Sequence, residues 1–278
     1  RHANLILKHF SGNRAAEITS DMIREYREKR RAHKVKDSTI NRELAALKRM
    51  YRLGLEEDPP LVARIPKIPM VAENNVRTGF FDLGDFRELR ANAPDHLKPV
   101  IAIAYYTGMR AGEILKLKWD QVDLVHGVLR LETGTTKNKE GREVPLIPEL
   151  RQTLEWWRKE TRGKYPFCRY VCHYKGERYG SYRRAWNTLC EKVGLTGAKM
   201  HDFRRTGVRN LIRAGVPQSV AMAISGHKTD SVFRRYDIVS HQDIQQAGDR
   251  LTRYFQERTA EADANIETDI DKAKVHAG

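Results

Sequence analysis

The chain has 278 residues, of which 40% are hydrophobic and 31% charged, with a formal net charge of +15 at pH 7. This length allows two ordinary domains or one large one, and no apolar run is long enough to predict a membrane span or a secretory signal. The excess of positive charge favours a polyanionic partner, nucleic acid above all, over a merely basic surface.

The three cysteines are too few for a disulfide framework. Cys168, Cys172 and His173 lie close together, but the chain has no second Cys/His pair at zinc-ligand spacing. The pattern therefore predicts structural thiols, no metal site, and a reducing, intracellular setting.

Residues 1–74 predict a small helical domain followed by a linker. Thr19 or Ser20 can cap a helix through MIREYREKRR, and Asp37 or Ser38 can cap the next one. The second helix has an apolar stripe opposite a basic face. The stripe consists of Ile40, Leu44, Leu47, Tyr51 and Leu55. The proline-rich stretch PPLVARIPKIPM cannot continue a helix, so we place a domain boundary between about residues 58 and 78.

Residues 75–278 predict a larger, mostly helical domain. Asp82 is the expected cap of its first helix, and HLKPVIAIAYYTG is apolar nearly all round, which predicts a buried helix. The short β-prone runs WDQVDL, GVLRLE and REVPLI predict a small antiparallel sheet. Helical patterns resume after Pro148, from Ser181 and through HDFRRTGVRNLIRAG. The expected fold class is mainly α with one small antiparallel β-sheet.

Two segments pair an arginine with a partner three residues away. In TGMRAGE, Arg110 and Glu113 share one face if the turn is helical, so Glu113 could hold the guanidinium in place. In HDFRRTG, His201 and Arg204 could point at one anion, whereas Arg205 lies about 100° around the helix and is the lesser candidate. Taken alone, a surface ion pair and a solvated helix face explain these patterns as well.

Two further segments carry a lysine and a tyrosine. TTKNKEGREVPL places Lys137 and Lys139 near the tip of a predicted hairpin, where lysine is usually a solubility device but can also be delivered to a reacting atom. In GHKTDSVFRRY, His227 stands nine residues before Tyr236. This tyrosine could fill a core, lie on the surface, or act as a nucleophile.

Together these residues meet the needs of phosphoryl transfer to a tyrosine. A phenol with a pKa near ~10 needs a base or strong positive surroundings to attack phosphorus. Two guanidiniums can clamp the non-bridging oxygens, and a lysine can protonate the leaving alkoxide. Histidine can accept the nucleophile's proton or donate to a phosphoryl oxygen. No Asp/Glu cluster resembles a two-metal site, so arginine is expected to replace magnesium.

The order TGMRAGE, TTKNKEGREVPL, HDFRRTG, GHKTDSVFRRY resembles the tyrosine recombinase (phage integrase) family. Matched residue by residue, the family's catalytic set falls on Arg110 with Glu113, Lys137, His201 with Arg204, His227 and Tyr236. Lys137 is chosen over Lys139 because it precedes Pro145 by eight residues, as in the family's lysine hairpin. One departure is Ser225, which stands where the family often has an apolar residue.

The resemblance implies a two-domain clamp on duplex DNA, with a core-binding domain at 1–74 and a catalytic domain at 75–278. Tyr236 would form a 3′-phosphotyrosine and free a 5′-hydroxyl, and strand exchange would pass through a Holliday junction without metal, ATP or cofactor. The implied partners are double-stranded DNA, three further copies in a homotetramer, and accessory DNA-bending proteins. No membrane is involved, and a cytoplasmic, nucleoid-associated protein of bacterial, phage or mobile-element origin is expected.

The two ends of the chain leave alternatives open. The segment SHQDIQQAGDRLTRYFQERTAEA predicts a C-terminal helix that docks on a neighbouring protomer or packs on its own domain. The chain begins at Arg1 rather than Met, which suggests a fragment or a processed chain, and an arm-binding domain in front of it stays an open question.

Two other functions compete with recombination. A type IB topoisomerase shares the same chemistry, but the separate helical domain and the TGMRAGE and GHK segments favour a recombinase. A non-catalytic DNA-binding regulator on the same fold is disfavoured, because every catalytic position holds the expected residue type.

Overall fold

The structure is a computed structural model that describes residues 2–73, 79–131, 141–234, 244–245 and 247–259. The chain divides into two compact units, Arg1–Arg77 and Thr78–Gly278. Both are built mainly from helices, and the second also contains small antiparallel sheets, so the predicted fold class is confirmed. Across the described ranges, no helix combines the length and the apolar character that crossing a bilayer requires.

In residues 2–73, the described part of the first unit, there are three α-helices. They are α1 (His2–His9), α2 (Ser20–Ala32) and α3 (Asp37–Glu56). Thr19 caps α2, as its hydroxyl accepts a hydrogen bond from the Met22 amide at 3.3 Å. The predicted cap of α3 at Asp37 or Ser38 is wrong, because the helix already begins at Asp37. That carboxylate instead accepts from Arg31 Nε at 3.0 Å and links the ends of α2 and α3.

The predicted apolar stripe of α3 forms one side of the first unit's core. Four of its five members are buried with side chains of α1 and α2. The core consists of Ile6, Phe10, Ile23, Tyr26, Ile40, Leu44, Leu47, Tyr51 and Val62. Leu55, in the last turn of the helix, is an exception and is 40% exposed.

A buried carboxylate links α2 to α3 within this core. Glu43 accepts two hydrogen bonds from the Arg30 guanidinium, at 2.7 and 2.9 Å, and a third from the Tyr26 hydroxyl at 2.8 Å. Burial opposes ionisation of Glu43, but the hydrogen bonds from Arg30 and Tyr26 outweigh it and lower its pKa. The ion pair is therefore retained where an isolated carboxylate could not stay charged.

The proline-rich segment after α3 forms no helix or strand in its described part, residues 57–73. Most of its residues are exposed, but side-chain hydrogen bonds tie it to the first unit. The amide of Asn41 donates to the Val71 carbonyl and accepts from the Val71 amide, both at 2.8 Å. The Ser20 hydroxyl donates to the Lys67 carbonyl at 2.8 Å.

In the second unit, other helices and a sheet surround one central helix of ten residues. Within residues 79–131 and 141–234, its α-helices are α4 (Leu83–Asn92), α5 (Lys98–Thr107), α6 (Ala111–Ile114), α7 (Pro148–Arg162), α8 (Arg183–Lys192), α9 (Asp202–Arg213), α10 (Gln218–Ser225) and α11 (Asp230–Phe233). Asp82 caps α4 by accepting from the Asp85 amide at 2.7 Å, as predicted. Helix α5 is buried on nearly every side and forms the centre of the main core, which agrees with its apolar sequence.

The sheets of the second unit are small. Strands β1 (Val122–Asp123), β2 (Val128–Leu131) and β3 (Arg142–Pro145) form an antiparallel sheet in the order β1-β2-β3, in which Leu131 pairs with Arg142. This is the sheet that the sequence predicts. A second hairpin, β4 (His173–Tyr174) and β5 (Glu177–Arg178), was not predicted.

Two glycines allow α9 to touch the end of α5. Gly108 ends α5 in the left-handed conformation at φ +63°. A Cβ atom added to Gly207 would lie 2.6 Å from the Gly108 Cα, so no larger residue fits there without moving backbone. This contact brings the helix that carries Arg204 directly against the turn that carries Arg110.

Candidate active site

Arg204 is the central side chain of the site, and only 1% of it is exposed. Its Nη1 donates to the carbonyl of Gly108 at 2.9 Å and to that of Ser225 at 2.6 Å. Its Nη2 lies 2.9 Å from His227 Nε2. Burying a guanidinium costs roughly several kcal/mol of desolvation free energy unless its N–H groups donate hydrogen bonds. These acceptors therefore fix its position before any ligand arrives.

Three consecutive carbonyls at the end of α10 each accept from a different arginine. The carbonyl of Ile224 accepts from Arg142 Nε at 3.0 Å, that of Ser225 from Arg204 at 2.6 Å, and that of Gly226 from Arg110 Nη2 at 3.0 Å. The last carbonyls of a helix lack partners within the helix and carry partial negative charge, so cations are stabilised there. The end of α10 thus gathers guanidiniums from three separate parts of the chain.

Glu113 holds two of these arginines from the opposite side. Its carboxylate accepts from Arg110 Nη1 at 3.0 Å and from Arg142 Nη2 at 2.6 Å. It also accepts from the Arg110 amide at 3.2 Å, which closes the short helix α6. Burial opposes its ionisation, but the hydrogen bonds and charges of Arg142 and Arg110 outweigh it and lower the pKa of Glu113. The contact predicted between Arg110 and Glu113 is therefore present, partly buried, and holds the guanidinium in position.

Arg142 is a functional candidate that the sequence interpretation missed. It is the first residue of β3, and its side chain is 10% exposed. A Cβ atom at Gly226 would meet its Nη1 at 2.8 Å, so the turn after α10 is shaped around it. The strand alternation could have revealed it, because Arg142 and the buried Val144 lie on one face of β3. A charged residue on the buried face of a strand is a signal for a built site.

His227 is buried beside these arginines. Burial is the main cause that lowers the pKa of His227. The positive charges of Arg204, Arg110 and Arg142 lower it further, to about 3. The imidazole is therefore neutral at neutral pH. Its ring lies 5.5 Å, between centroids, from the buried ring of Phe233, which anchors α11 next to the site.

His201 lies immediately before α9, close enough to the site that the charges of Arg204 and Arg110 act on its ring, and it acts in turn on His227. The residue is exposed, whereas Arg204 is enclosed. The pKa of His201 is lowered mainly by partial desolvation of the ring, and the charges of Arg204 and Arg205 lower it further. Arg205, the lesser candidate in the sequence, is also buried.

The structure thus brings together Arg110, Glu113, Arg204 and His227, with the more exposed His201 near enough for the charges of Arg204 and Arg110 to lower its pKa. Lys137 and Tyr236 lie outside the described residues, as does Lys139. In the chain, the lysine segment lies between β2 and Arg142. Tyr236 comes two residues after Arg234, which follows the last residue of α11. Among the side chains that the structure describes, no group of three or more His, Cys, Asp or Glu is placed to hold a metal ion. The fixed guanidiniums and the neutral imidazole suit a phosphate anion.

We expect Glu113→Gln to reduce the free energy of unfolding by about 3 kcal/mol at pH 7, because it leaves two largely buried guanidiniums without a counter-charge. The folded-state pKa of Glu113 is lowered. Its stabilisation is therefore complete above the unfolded pKa and lost as the pH falls through the folded value. The difference from the wild type should shrink as the pH falls below the ordinary pKa of a glutamate, as measured by urea unfolding.

Glu155→Gln is the matched control for this prediction. Glu155 forms an exposed pair with Arg151 at 2.8 Å, so its loss should cost about 0.5 kcal/mol or less. If Glu113→Gln is no more destabilising than Glu155→Gln, the carboxylate does not hold the two arginines.

Comparisons with known proteins assign the chain to a family. Residues 85–243 match the model of the phage integrase family, and residues 1–57 match that of the phage integrase N-terminal SAM-like domain. The fold is shared with the Tn1549 transposon integrase in complex with transposon right end DNA, at 15% identity and a TM-score of 0.71, covering 90% of this chain and 92% of that one. A lambda integrase dimer bound to a COC′ core site gives 18% identity and a TM-score of 0.67, covering 85% and 69%.

Curated relatives agree with this assignment. The chain is 26% identical over 237 residues to the shufflon-specific DNA recombinase of Escherichia coli, covering 79% of this chain and 58% of that protein. It is 25% identical over 207 residues to the integrase of Salmonella phage P22, covering 69% and 52%. The chain thus spans little more than half the length of these two relatives. It belongs to the phage integrase family, the family of tyrosine recombinases.

Proposed function

We propose that the chain is a site-specific DNA recombinase that breaks and rejoins duplex DNA through a covalent tyrosine intermediate. The observation that carries this proposal is the pre-formed cluster of Arg110, Arg204 and neutral His227. In the chain, His227 stands nine residues before Tyr236. The relatives named as recombinases and integrases support it.

In the proposed reaction, Tyr236 Oη attacks a backbone phosphorus and the bond from phosphorus to the 5′ oxygen breaks. Arg110 and Arg204 stabilise the charge on the non-bridging oxygens, because their guanidiniums are already held in place by protein acceptors. Lys137 protonates the leaving 5′ oxygen. The phosphotyrosine keeps the bond energy of the phosphodiester, so attack by a 5′-hydroxyl restores DNA without ATP, a cofactor or a metal.

The two units take different parts in this proposal. Residues 1–74 form the core-binding domain and linker, and residues 75–278 form the catalytic domain, with His201 as a further contact to the scissile phosphate. The two would clamp duplex DNA between them. The basic side chains of α3 that face away from its apolar stripe suit phosphate contacts. These are Arg42, Lys48, Arg49 and Arg52.

Four protomers on two paired sites are the proposed working assembly, with C-terminal tails exchanged between them. Exposed apolar side chains near the C-terminus, at residue 244 and in the helical residues 247–259, support tail exchange. Their large apolar side chains Ile244, Leu251, Tyr254 and Phe255 are each more than half exposed in the single chain. A neighbouring protomer would cover them. Accessory DNA-bending proteins and a cytoplasmic, nucleoid-associated location belong to the same proposal.

A test is to incubate the protein with fragmented DNA of its source organism in EDTA and to separate the products in SDS. We expect a protein–DNA adduct, recovered repeatedly on one sequence, and a nucleotide-bearing peptide that mass spectrometry maps to Tyr236. DNA binding without an adduct would favour a regulator, and relaxation of any plasmid without site preference would favour a topoisomerase. An adduct that requires added Mg²⁺ would contradict the proposal.

We expect Lys137→Ala to slow adduct formation by about 10²-fold or more, because the leaving alkoxide loses its proton donor. A substrate with a 5′-bridging phosphorothioate should restore the rate, because a thiolate leaves without a proton. Lys139→Ala is the matched control and should react like the wild type on both substrates. If the sulfur substrate rescues Lys139→Ala instead, the two lysines are wrongly assigned.

A further inference from the structure

Arg142 connects two parts of the site that are far apart in the chain. Its Nη2 donates to Glu113 Oε2 at 2.6 Å, and its Nε donates to the Ile224 carbonyl at 3.0 Å. Both donors belong to one planar guanidinium, so this side chain fixes the carboxylate and the end of α10 relative to each other. The single ammonium group of a lysine, on a flexible stem, could not set both distances.

The two groups that Arg142 holds are also the supports of Arg110. Arg110 Nη1 donates to Glu113 Oε1 at 3.0 Å. Arg110 Nη2 donates at 3.0 Å to the carbonyl of Gly226, two residues after Ile224. The Gly226 turn lies directly against Arg142, because a Cβ atom there would be 2.8 Å from Arg142 Nη1. Both of these supports of the Arg110 guanidinium thus adjoin Arg142.

Burial separates the roles of the two arginines. The side chain of Arg110 is 23% exposed, whereas those of Arg142 and Glu113 are 10% and 5% exposed. Arg110 is therefore the guanidinium that a ligand reaches more readily, and Arg142 is the more enclosed one. An enclosed cation whose Nε and Nη2 already donate to protein acceptors suits support of the site rather than binding of a ligand.

We propose that Arg142 is a positioning residue that holds the Arg110 guanidinium in place by fixing Glu113 and the end of α10 together. The ordering of Arg110 is a property of the protein alone, whereas its effect on strand cleavage rests on the proposed function. A cation that is ordered in advance stabilises the transition state without reorganisation. Loosening Arg110 therefore costs rate rather than DNA affinity.

The test measures how fast the N–H groups of the Arg110 guanidinium exchange with water. The full chain is labelled with ¹⁵N-arginine and observed by NMR at mildly acidic pH without DNA. Arg110→Lys and Arg142→Lys assign the two guanidiniums by the loss of their signals. We expect exchange at Arg110 to be about tenfold faster in Arg142→Gln than in the wild type, because its two acceptors are no longer fixed.

Arg130→Gln is the matched control. Arg130 lies on the adjacent strand β2 and pairs with Asp123 and Glu143 at 2.6 and 3.2 Å, but its side chain is 52% exposed. Its loss should leave exchange at Arg110 unchanged. Equal exchange at Arg110 in the wild type and in Arg142→Gln would overturn the proposal.

The wild-type chain provides a second measurement, which decides the role even if Arg142→Gln is poorly folded. The Nε–H of Arg142 donates to the buried end of α10, and that of Arg130 donates to Glu143 on the surface. We expect the Arg142 group to exchange at least about tenfold more slowly. Exchange as fast as at Arg130 would show that the Arg142 guanidinium is not fixed, and the proposal would then be wrong.

A third measurement uses DNA at saturating concentration. We expect Arg142→Gln to slow adduct formation by about tenfold, with a Kd for DNA within about twofold of the wild type. Weaker binding with an unchanged rate at saturation would mean that Arg142 binds DNA instead, which contradicts the proposal. A wild-type chain that forms no adduct would contradict the proposed function alone, because the exchange measurements still decide the role of Arg142.

Discussion

Tyr236→Phe is expected to abolish the covalent protein–DNA adduct, with a loss of about 10⁴-fold or more, because it removes the attacking oxygen itself. The change deletes one atom and leaves the cations of the site in place. DNA affinity should stay within about twofold of the wild type, since phosphate contacts by Lys and Arg dominate binding. Adduct yield in SDS gels and a binding titration at fixed salt measure the two effects separately.

The matched control is Tyr254→Phe, at an exposed tyrosine in the helical residues 247–259. It should give the wild-type adduct yield on the same DNA. Persistence of the adduct in Tyr236→Phe would mean that another side chain attacks phosphorus, and the assignment of the nucleophile would then be wrong.

Arg204→Lys is expected to affect both stability and chemistry. The guanidinium reaches the carbonyls of Gly108 and Ser225 and the imidazole of His227 at the same time. A single ammonium group on a flexible stem cannot do so. We expect a loss of about 2–4 kcal/mol in the free energy of unfolding, because buried acceptors lose their partner. Adduct formation should fall by about 10²–10³-fold.

Arg184→Lys is a suitable control, because Arg184 is exposed on α8 in the same unit and should change neither quantity appreciably. Urea unfolding and single-turnover adduct formation would be followed for both variants. Wild-type stability in Arg204→Lys would show that the guanidinium is not an organising group of the fold. Wild-type cleavage would remove it from the mechanism.

Helices were predictable where local pattern decided the outcome. The all-round apolar sequence of α5 predicted its burial, Asp82 predicted the start of α4, and the alternating short runs predicted the β1-β2-β3 sheet. Leu55 fits the same helical period as the core residues but is exposed. Periodicity gives the direction of a side chain, and whether another helix covers that position depends on tertiary packing.

The composition of the site was predictable, but its connections were not. Arg110, Glu113, Arg204 and His227 follow from motif order, yet helical spacing predicted a common face for His201 and Arg204 and could not show that only the arginine is enclosed. Arg142 was missed because its partners lie 29 residues earlier, at Glu113, and 82 residues later, at Ile224. Such contacts exist only once the sheet, α6 and α10 have packed together.

The three carbonyls at the end of α10 also bear on how the protein is made. A chain is synthesised from its N-terminus, and Arg110, Arg142 and Arg204 leave the ribosome before residues 224–226 that organise them. A chain that stops before Ile224 would lack the acceptors that align these guanidiniums, although residues 1–74 would be complete. The arrangement of the three guanidiniums therefore depends on a helix end that is made after all of them.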